Sequence, residues 1–222
     1  MLHQTREAAE AGQRERLADG MAKAGFYQQA IEQWRRIQKL RPDSATRLAP
    51  KLVHAHANLG ASYNRQGNLP AAQEHYEHAL GIDPIDLAGR NKLAYVFERL
   101  GQRAVAAKHF RQVLAFEPGH AVAYLGLATL FQRDADTERA VYYYRHALKS
   151  NPDLIGAANN LAWMLATSSD PTWRNGQEAV KLAEHAVKLT GKDHPSVLDT
   201  LAAAYAEARR FDDAIATIHR AL

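Results

Sequence analysis

The sequence predicts an all-α protein, an α-solenoid of about six helix-turn-helix repeats. Helix-favouring alanine, leucine, glutamine, glutamate and arginine dominate the composition, whereas strand-favouring valine, isoleucine and threonine are thinly spread. Apolar stripes with helical spacing recur in pairs along the chain. The repeating unit returns at intervals near 34 residues, the length of a stacked pair of short helices.

The second helix of each repeat is marked by an alanine that is followed, four residues later, by a large apolar side chain. Another apolar residue comes seven residues after the alanine, and this spacing places all three on one helix face. The alanines are Ala30, Ala72, Ala106, Ala140 and Ala214, and the large side chains are Trp34, Tyr76, Phe110, Tyr144 and Ile218. The fifth repeat has Ala179 in this place, after a longer interval.

The first helix of each repeat is predicted by a second stripe, ten to twelve residues before the alanine. This stripe contains a small residue, which we expect where the two helices approach too closely for a large side chain. The small residues are Ala18, Gly60, Ala94, Ala128, Ala162 and Ala202.

Glycine and proline punctuate these helices. Gly25, Gly67 and Gly101 fall between paired helices, where a left-handed turn residue is needed. Prolines fall where second helices should stop, because proline cannot continue a helix. They are Pro42, Pro84, Pro118 and Pro152.

The segment LGASYNRQGNLPAAQEHYEHALGIDP, residues 59–84, resembles the tetratricopeptide repeat (TPR) almost throughout, and the resemblance extends over nearly the whole chain. It implies one right-handed superhelix over residues 1–222 with a concave inner groove. The repeats are expected at about 11–44, 53–86, 87–120, 121–154, 155–194 and 195–222. The C-terminal part resembles the TPR regions of bacterial multidomain proteins.

Two departures interrupt the period. Eight extra residues, within ATRLAPKLV at 45–53, lengthen either a linker or the next helix. An insertion at 168–176 separates the two helices of the fifth repeat, and we expect its Trp173 to pack onto the neighbouring helices.

Several chemistries are excluded by the residues present. The chain has no cysteine, so disulfides, thiolate metal sites and cysteine nucleophiles are absent. It contains no phosphate-binding loop, nucleophile elbow or kinase signature. The histidine pairs His54/His56 and His75/His78 do not supply the three or four converging ligands of a zinc site. We therefore expect no enzyme activity, no cofactor and no metal.

The charge distribution argues against a nucleic-acid partner. Residues 1–52 hold ten Lys/Arg against six Asp/Glu, and the remaining residues hold eighteen of each. No apolar run reaches the roughly 20 residues that span a bilayer, so direct membrane insertion is not expected. The sequence leaves the compartment open: the chain as given suits a soluble, cytoplasmic protein, and a periplasmic fragment of a larger protein is the alternative.

The candidate site consists of first-helix residues outside the core stripe, which should face the groove. One column is basic and suits carboxylates: Arg65, Arg99 and Arg133, preceded by Lys23. A second column can pair with a peptide backbone or offer flat apolar surface: Asn58, Asn91, Lys92, Tyr95, Asn159, Asn160 and Trp163. In the alternative interpretation, the arginines only complement helix dipoles at helix C-termini.

The function predicted is that of a protein–protein interaction scaffold, a segment of a bacterial multidomain or assembly protein. Its groove would bind a partner protein or an extended peptide of acidic character. The alternative is a regulatory or substrate-selecting module of an enzyme, such as a glycosyltransferase, whose catalytic domain lies outside this chain. RNA binding is disfavoured by the alanine and proline pattern. Apolar residues near the C-terminus also predict an exposed face that suits a homodimer: Tyr205, Phe211, Ile215 and Ile218.

Overall fold

Paired α-helices make up the computed structural model, which describes residues 2–190 and 194–221, with side chains from residue 9 onward. The first helices of the pairs are α1 (Leu2–Lys23), α3 (Ala45–Arg65), α5 (Leu87–Arg99), α7 (Ala121–Arg133), α9 (Ile155–Thr167) and α11 (Pro195–Glu207). The second helices are α2 (Tyr27–Leu40), α4 (Leu69–Ile82), α6 (Arg103–Phe116), α8 (Thr137–Ser150), α10 (Gly176–Thr190) and α12 (Phe211–Ala221). No strand occurs among these residues, and the all-α solenoid prediction is confirmed.

The chain divides into two compact units, Met1–His109 and Phe110–Leu222. In the first unit, α1 packs on α2 and α3 packs on α4. In the second unit the same pairing joins α7 to α8, α9 to α10 and α11 to α12. The predicted junction between the fifth and sixth repeats falls partly on residues 191–193, which lie outside the described residues.

The predicted glycines lie in left-handed turns between the helices of a pair. Gly25, Gly67 and Gly101 have φ angles of +85°, +79° and +77°, the left-handed region that favours glycine. Ala135 and Arg209 occupy the corresponding turns of the fourth and sixth repeats, with φ of +57° and +60°. The sequence gives no sign of these two turns, because a non-glycine residue in this conformation has no composition signature.

Each predicted proline lies two residues beyond a second helix, after α2, α4, α6 and α8. The backbone N–H two residues beyond a helix end has no helical carbonyl to bond, so proline is tolerated there. The predicted helix stops are confirmed.

Buried side chains along the paired helices form the core. All five predicted alanines are buried, as are Trp34, Tyr76, Phe110 and Tyr144, whereas Ile218 is half exposed. Gly60 explains the need for small residues: a Cβ atom built there would lie 2.9–3.0 Å from the ring of Tyr76. Gly126 is more crowded still, with a Cβ atom 2.3 Å from the ring of Phe110.

Three stacked aromatic pairs join the helices within successive repeats. Tyr63 stacks on His75, Phe97 on His109, and Phe131 on Tyr143. The ring centroids are 5.4, 5.3 and 5.3 Å apart, and the planes are inclined by 2°, 18° and 5°. Each pair therefore fixes the approach of one second helix to its own first helix.

The eight extra residues after the first repeat lengthen a helix rather than a linker. Helix α3 has 21 residues where α5 and α7 have 13. Within the added turns, the Lys51 ammonium lies 2.9 Å from the Glu15 carboxylate and 2.8 Å from that of Asp19, and Arg47 also pairs with Glu15. Asp19 in turn accepts a hydrogen bond from the Trp34 indole, at 3.2 Å.

The insertion in the fifth repeat forms a short 3-10 helix, Pro171–Trp173, between α9 and α10. The backbone N–H of Asn175 donates to the Leu165 carbonyl at 2.8 Å and closes the loop onto α9. Trp173 is partly buried, and its packing onto the neighbouring helices stays a prediction.

Candidate functional site

The predicted basic column occupies helix ends. Arg65, Arg99 and Arg133 are the last residues of α3, α5 and α7, and Lys23 is the last residue of α1. The final carbonyl groups of a helix have no partner within it, so cations are stabilised at these positions. The arrangement gives the basic column a structural role in addition to any role in binding.

Arg99 shows this role at the C-terminus of the neighbouring helix α3. Its guanidinium donates to the backbone carbonyl of Asn64 at 2.8 Å and also to the side-chain oxygen of that residue. Arg99 therefore ties the end of α5 to the end of α3. Arg65 is exposed and forms no ion pair with the residues that the structure describes, whereas Arg133 is exposed in the second unit.

Two of the four predicted asparagines donate hydrogen bonds to other residues of the fold. Asn58 donates to the His54 carbonyl at 2.8 Å, within α3. Asn160 donates to the Tyr144 hydroxyl at 3.1 Å and so links α9 to α8. The side-chain oxygens of Asn91 and Asn159 are buried, and neither accepts a hydrogen bond from the described part of the chain.

An open cleft of about 490 Å³ lies in the first unit, between α3 and α5. Its apolar lining comes from three helices: Ala49, Pro50, Val53 and Ala57 of α3, Ile82 of α4, and Ala88 and Gly89 of α5. Polar and charged residues also line it: Thr46, His54, Asp83, Asp86 and Lys92. The cleft therefore combines apolar surface with charges of both signs.

The charged residues of the cleft differ in whether the fold already supplies them with a partner. Asp86 caps α5, since its carboxylate accepts the Gly89 N–H at 2.9 Å. A Cβ atom at Gly89 would lie 2.2 Å from that carboxylate, so glycine allows the cap to sit close to the helix. Lys92 is exposed and forms no ion pair with any described residue. It is the cation of the cleft that remains available to a ligand.

The predicted site residues divide between the two units. Asn58, Arg65, Asn91, Lys92, Tyr95 and Arg99 belong to the first unit, and only Lys92 of these lines the cleft. Arg133, Asn159, Asn160 and Trp163 belong to the second. Trp163 is 43% exposed on α9, and Tyr95 is partly buried on α5.

The structure contains a cluster of histidines around the buried His56 that the sequence did not predict. His56 is 2% exposed, and its Nδ1 atom lies 3.0 Å from Nδ1 of His75. Its Nε2 atom lies 3.4 Å from the Arg35 guanidinium, and the His78 ring centroid is 5.0 Å away. The sequence shows the pairs His54/His56 and His75/His78, but spacing alone does not show that one member turns into the core.

Burial dominates the electrostatics of this cluster. Loss of hydration, with smaller contributions of the same sign from His75, His78 and Arg35, lowers the pKa of His56 to about 4. Burial also lowers the pKa of His75. The rings of His56 and His75 are thus neutral at pH 7. Among the described residues, no group of three His, Asp or Glu side chains has an arrangement that would hold a metal ion.

Comparison with known proteins identifies the repeat. Residues 53–86 match the family model of the tetratricopeptide repeat. No curated protein matches the chain by sequence. Within its described part, none of the helices combines the length and apolar character needed to cross a membrane.

Solved structures share the fold at low sequence identity. PilF of Pseudomonas aeruginosa matches with a TM-score of 0.67 at 17% identity, over 96% of this chain and 90% of PilF. BtubC of P. vanneervenii matches with 0.67 at 21% identity, over 94% and 89% of the two chains. A thermophilic TPR protein of Thermus thermophilus matches with 0.60 at 22% identity, over 77% and 90%. At these identities the likeness concerns the fold alone.

Proposed function

We propose that this chain, which belongs to the tetratricopeptide-repeat family, is a scaffold that holds an extended segment of a partner protein against the first helices of its repeats. The fold is that of a protein-interaction module. The observation that carries the proposal is the open cleft between α3 and α5, with its apolar lining and Lys92, which forms no ion pair with the described residues.

The chemistry of the cleft favours an extended segment with apolar and acidic side chains. Small apolar side chains of α3 offer contact surface without blocking the close approach of a peptide backbone. The Lys92 ammonium would pair with a carboxylate of the partner, and the exposed Arg65 at the end of α3 adds a second cation to the same unit. Asp83 and Asp86, which also line the cleft, would disfavour an acidic group beside them.

The test is a charge-reversal variant, Arg65→Glu with Lys92→Glu. We expect loss of the partners that the wild-type protein retains from an extract of its source cells, as identified by mass spectrometry. For an isolated partner segment, calorimetry should show at least tenfold weaker binding, which is about 1.4 kcal/mol. Helicity should stay close to that of the wild type, because Arg65→Glu removes a favourable charge at the C-terminus of α3 that is worth about 0.3–1 kcal/mol, and a substitution of the exposed Lys92 alters stability by about 0.5 kcal/mol or less.

The matched control is Lys108→Glu with Arg111→Glu on α6. Both side chains are exposed on a second helix, and the change of charge is the same. Equal loss of partners in the two variants would show a general effect of charge and contradict the proposal. Arg133→Glu tests separately whether binding extends to the second unit.

A further inference from the structure

Four aromatic rings of α7 and α8, in the second unit, form one aromatic patch: those of Tyr124, Tyr142, Tyr143 and His146. The ring centroid of His146 lies 4.1 Å from that of Tyr142 and 5.4 Å from that of Tyr124. The centroid of Tyr143 lies 5.1 Å from that of Tyr142 and 6.2 Å from that of Tyr124. Tyr142 is 53% exposed and the other three residues are partly exposed, so the patch is accessible to a ligand.

The packing of a repeat does not require these tyrosines. Tyr142 comes two residues after the repeat alanine, and four other second helices carry a charged residue at that position: Glu32, Glu74, Lys108 and Lys181. Tyr143 comes three residues after the alanine, where His75 and His109 provide the stacking ring in the two preceding repeats. The fourth repeat therefore carries aromatic and hydroxyl surface that the other repeats fold without.

Contacts within the fold hold two of the rings in place. The Nδ1 atom of His146 donates to the backbone carbonyl of Tyr142 at 2.8 Å. Tyr143 stacks on the buried ring of Phe131, with the two planes inclined by 5°. A surface that is formed before the ligand arrives loses less side-chain entropy on binding.

Two hydroxyl groups of the patch have no partner in the fold. Those of Tyr142 and Tyr143 form no hydrogen bond with any described residue, and neither is sealed from solvent. The third hydroxyl, that of Tyr124, donates to the backbone carbonyl of Pro118 at 2.9 Å. The chain thus already contains one contact between a tyrosine of the patch and the carbonyl of a proline. The two remaining hydroxyls can donate to carbonyls of a ligand in the same way.

We infer that the aromatic patch binds a proline-rich segment of a partner protein in the polyproline II conformation. Proline rings are apolar and pack against aromatic faces. The backbone carbonyls of such a segment have no internal hydrogen-bond partner, so they can accept hydrogen bonds from Tyr142 and Tyr143. None of these residues lines the cleft between α3 and α5. The inference goes beyond the scaffold function proposed above and does not rest on it.

Single-stranded nucleic acid suits the patch less well, although its bases could also stack on aromatic rings. Such binding combines stacking with cations that follow the phosphate backbone. The two arginines of α8 are already paired, Arg139 with Asp136 at 2.5 Å and Arg145 with Glu178 at 2.9 Å. A neutral, proline-rich segment needs no such cations.

The test is a titration of fluorescently labelled decaproline with the full chain, followed by anisotropy. We expect saturable binding that the double variant Tyr142→Glu, Tyr143→His weakens at least tenfold. This variant carries the residues that α4 has at the same repeat positions, Glu74 and His75, so its circular dichroism should match that of the wild type. Tyr142→Phe keeps the ring and removes the hydroxyl, and it should bind with an intermediate affinity.

The matched control is Phe116→Glu, which places the same charge on another exposed aromatic residue of the second unit, 64% exposed. It should bind decaproline as the wild type does, and so should the Arg65→Glu, Lys92→Glu variant, which tests the cleft separately. The inference is wrong if decaproline shows no saturable binding, if the double variant binds it equally well, or if a peptide of alternating glycine and serine binds as tightly. Binding of a labelled oligouridylate, but not of decaproline, that the double variant abolishes would assign the patch to single-stranded nucleic acid and also overturn it.

Discussion

At the scale of the residue, histidine rings stack between helices at positions where the sequence alone does not predict stacking. His75 and His109 stack on Tyr63 and Phe97, in the place that Tyr143 takes against Phe131. An imidazole can serve there because a neutral ring is flat and apolar enough to stack. The cost is that a buried imidazole must remain uncharged.

This cost predicts acid sensitivity. The pKa of His56 falls from an ordinary value of 6.5 to about 4 in the folded chain, so the unfolded chain binds the proton more tightly. The stability that depends on His56 being buried as a neutral ring is fully present above pH 6.5 and is lost as the pH falls toward 4. Between pH 7 and pH 5 the free energy of unfolding should fall by about 2 kcal/mol from this group.

Urea denaturation of the wild type and of His56→Phe at both pH values measures this effect. The variant should lose markedly less stability on acidification, although His75 retains its own contribution. His219→Phe, at an exposed position of α12, is the control and should respond to pH as the wild type does. An unchanged pH dependence in His56→Phe would contradict the assignment.

A second residue-scale prediction concerns Gly126. Its α-carbon faces the buried ring of Phe110, and an added Cβ atom would lie 2.3 Å from that ring. Gly126→Ala should lower the free energy of unfolding by about 1–3 kcal/mol, despite the higher helix propensity of alanine. Adding Phe110→Leu should recover part of the loss in chemical denaturation, since it removes the obstructing ring atoms. A Gly126→Ala variant as stable as the wild type would show that the ring moves aside freely.

At the scale of the element, the added turns of α3 bind the first repeat by ion pairs. The hydrogen bond from Arg47, assisted by Lys51, lowers the pKa of Glu15 to about 2 even though burial opposes the shift. Two of the basic residues in the N-terminal excess are therefore partnered within the fold. The basic composition of residues 1–52 reflects helix-to-helix contact in part, rather than an exposed charged surface.

Removal of this carboxylate should loosen α3 from α1. We expect Glu15→Gln to lower the free energy of unfolding by about 1 kcal/mol at pH 7, after allowance for solvent screening of partly exposed partners. A depressed carboxyl pKa stabilises the fold above pH 4.5, and the effect disappears as the pH falls toward 2. Thermal unfolding at low and high salt should show a smaller difference at high salt.

Glu10→Gln is the matched control for Glu15→Gln. Glu10 also lies on α1 and pairs with an arginine, Arg14, but only across one turn of the same helix. Its replacement should cost about 0.5 kcal/mol or less. Equal losses from the two substitutions would mean that the contact between α1 and α3 contributes nothing beyond an ordinary surface pair.

At the scale of the whole molecule, the two units share one pattern of packing. A second helix buries its apolar face against its own first helix and against the first helix of the next repeat. On α12 the apolar face is open among the described residues, with Phe211, Ile215 and Ile218 60%, 55% and 48% exposed. The prediction of an exposed face near the C-terminus is confirmed for Phe211, Ile215 and Ile218, whereas Tyr205 is partly buried.

The sequence by itself determined the helix pairs, the turns at Gly25, Gly67 and Gly101, and the helix stops before the prolines. These features follow from local rules, because a residue's backbone preference and its helical spacing act within one or two turns. The same spacing identified the buried alanines and the aromatic core positions. The period of the repeat then placed each element in order along the chain.

Only the tertiary structure decided how individual polar side chains are used. Arg65 and Arg99 hold the same repeat position, yet Arg99 is bonded to Asn64 and Arg65 is free of ion pairs with described residues. Asn160 and His56 likewise turn toward neighbouring helices. Periodicity assigns a side chain to a helix face. Its partner is set by the residue opposite on another helix, which can lie 35 positions away, as Asn64 does from Arg99.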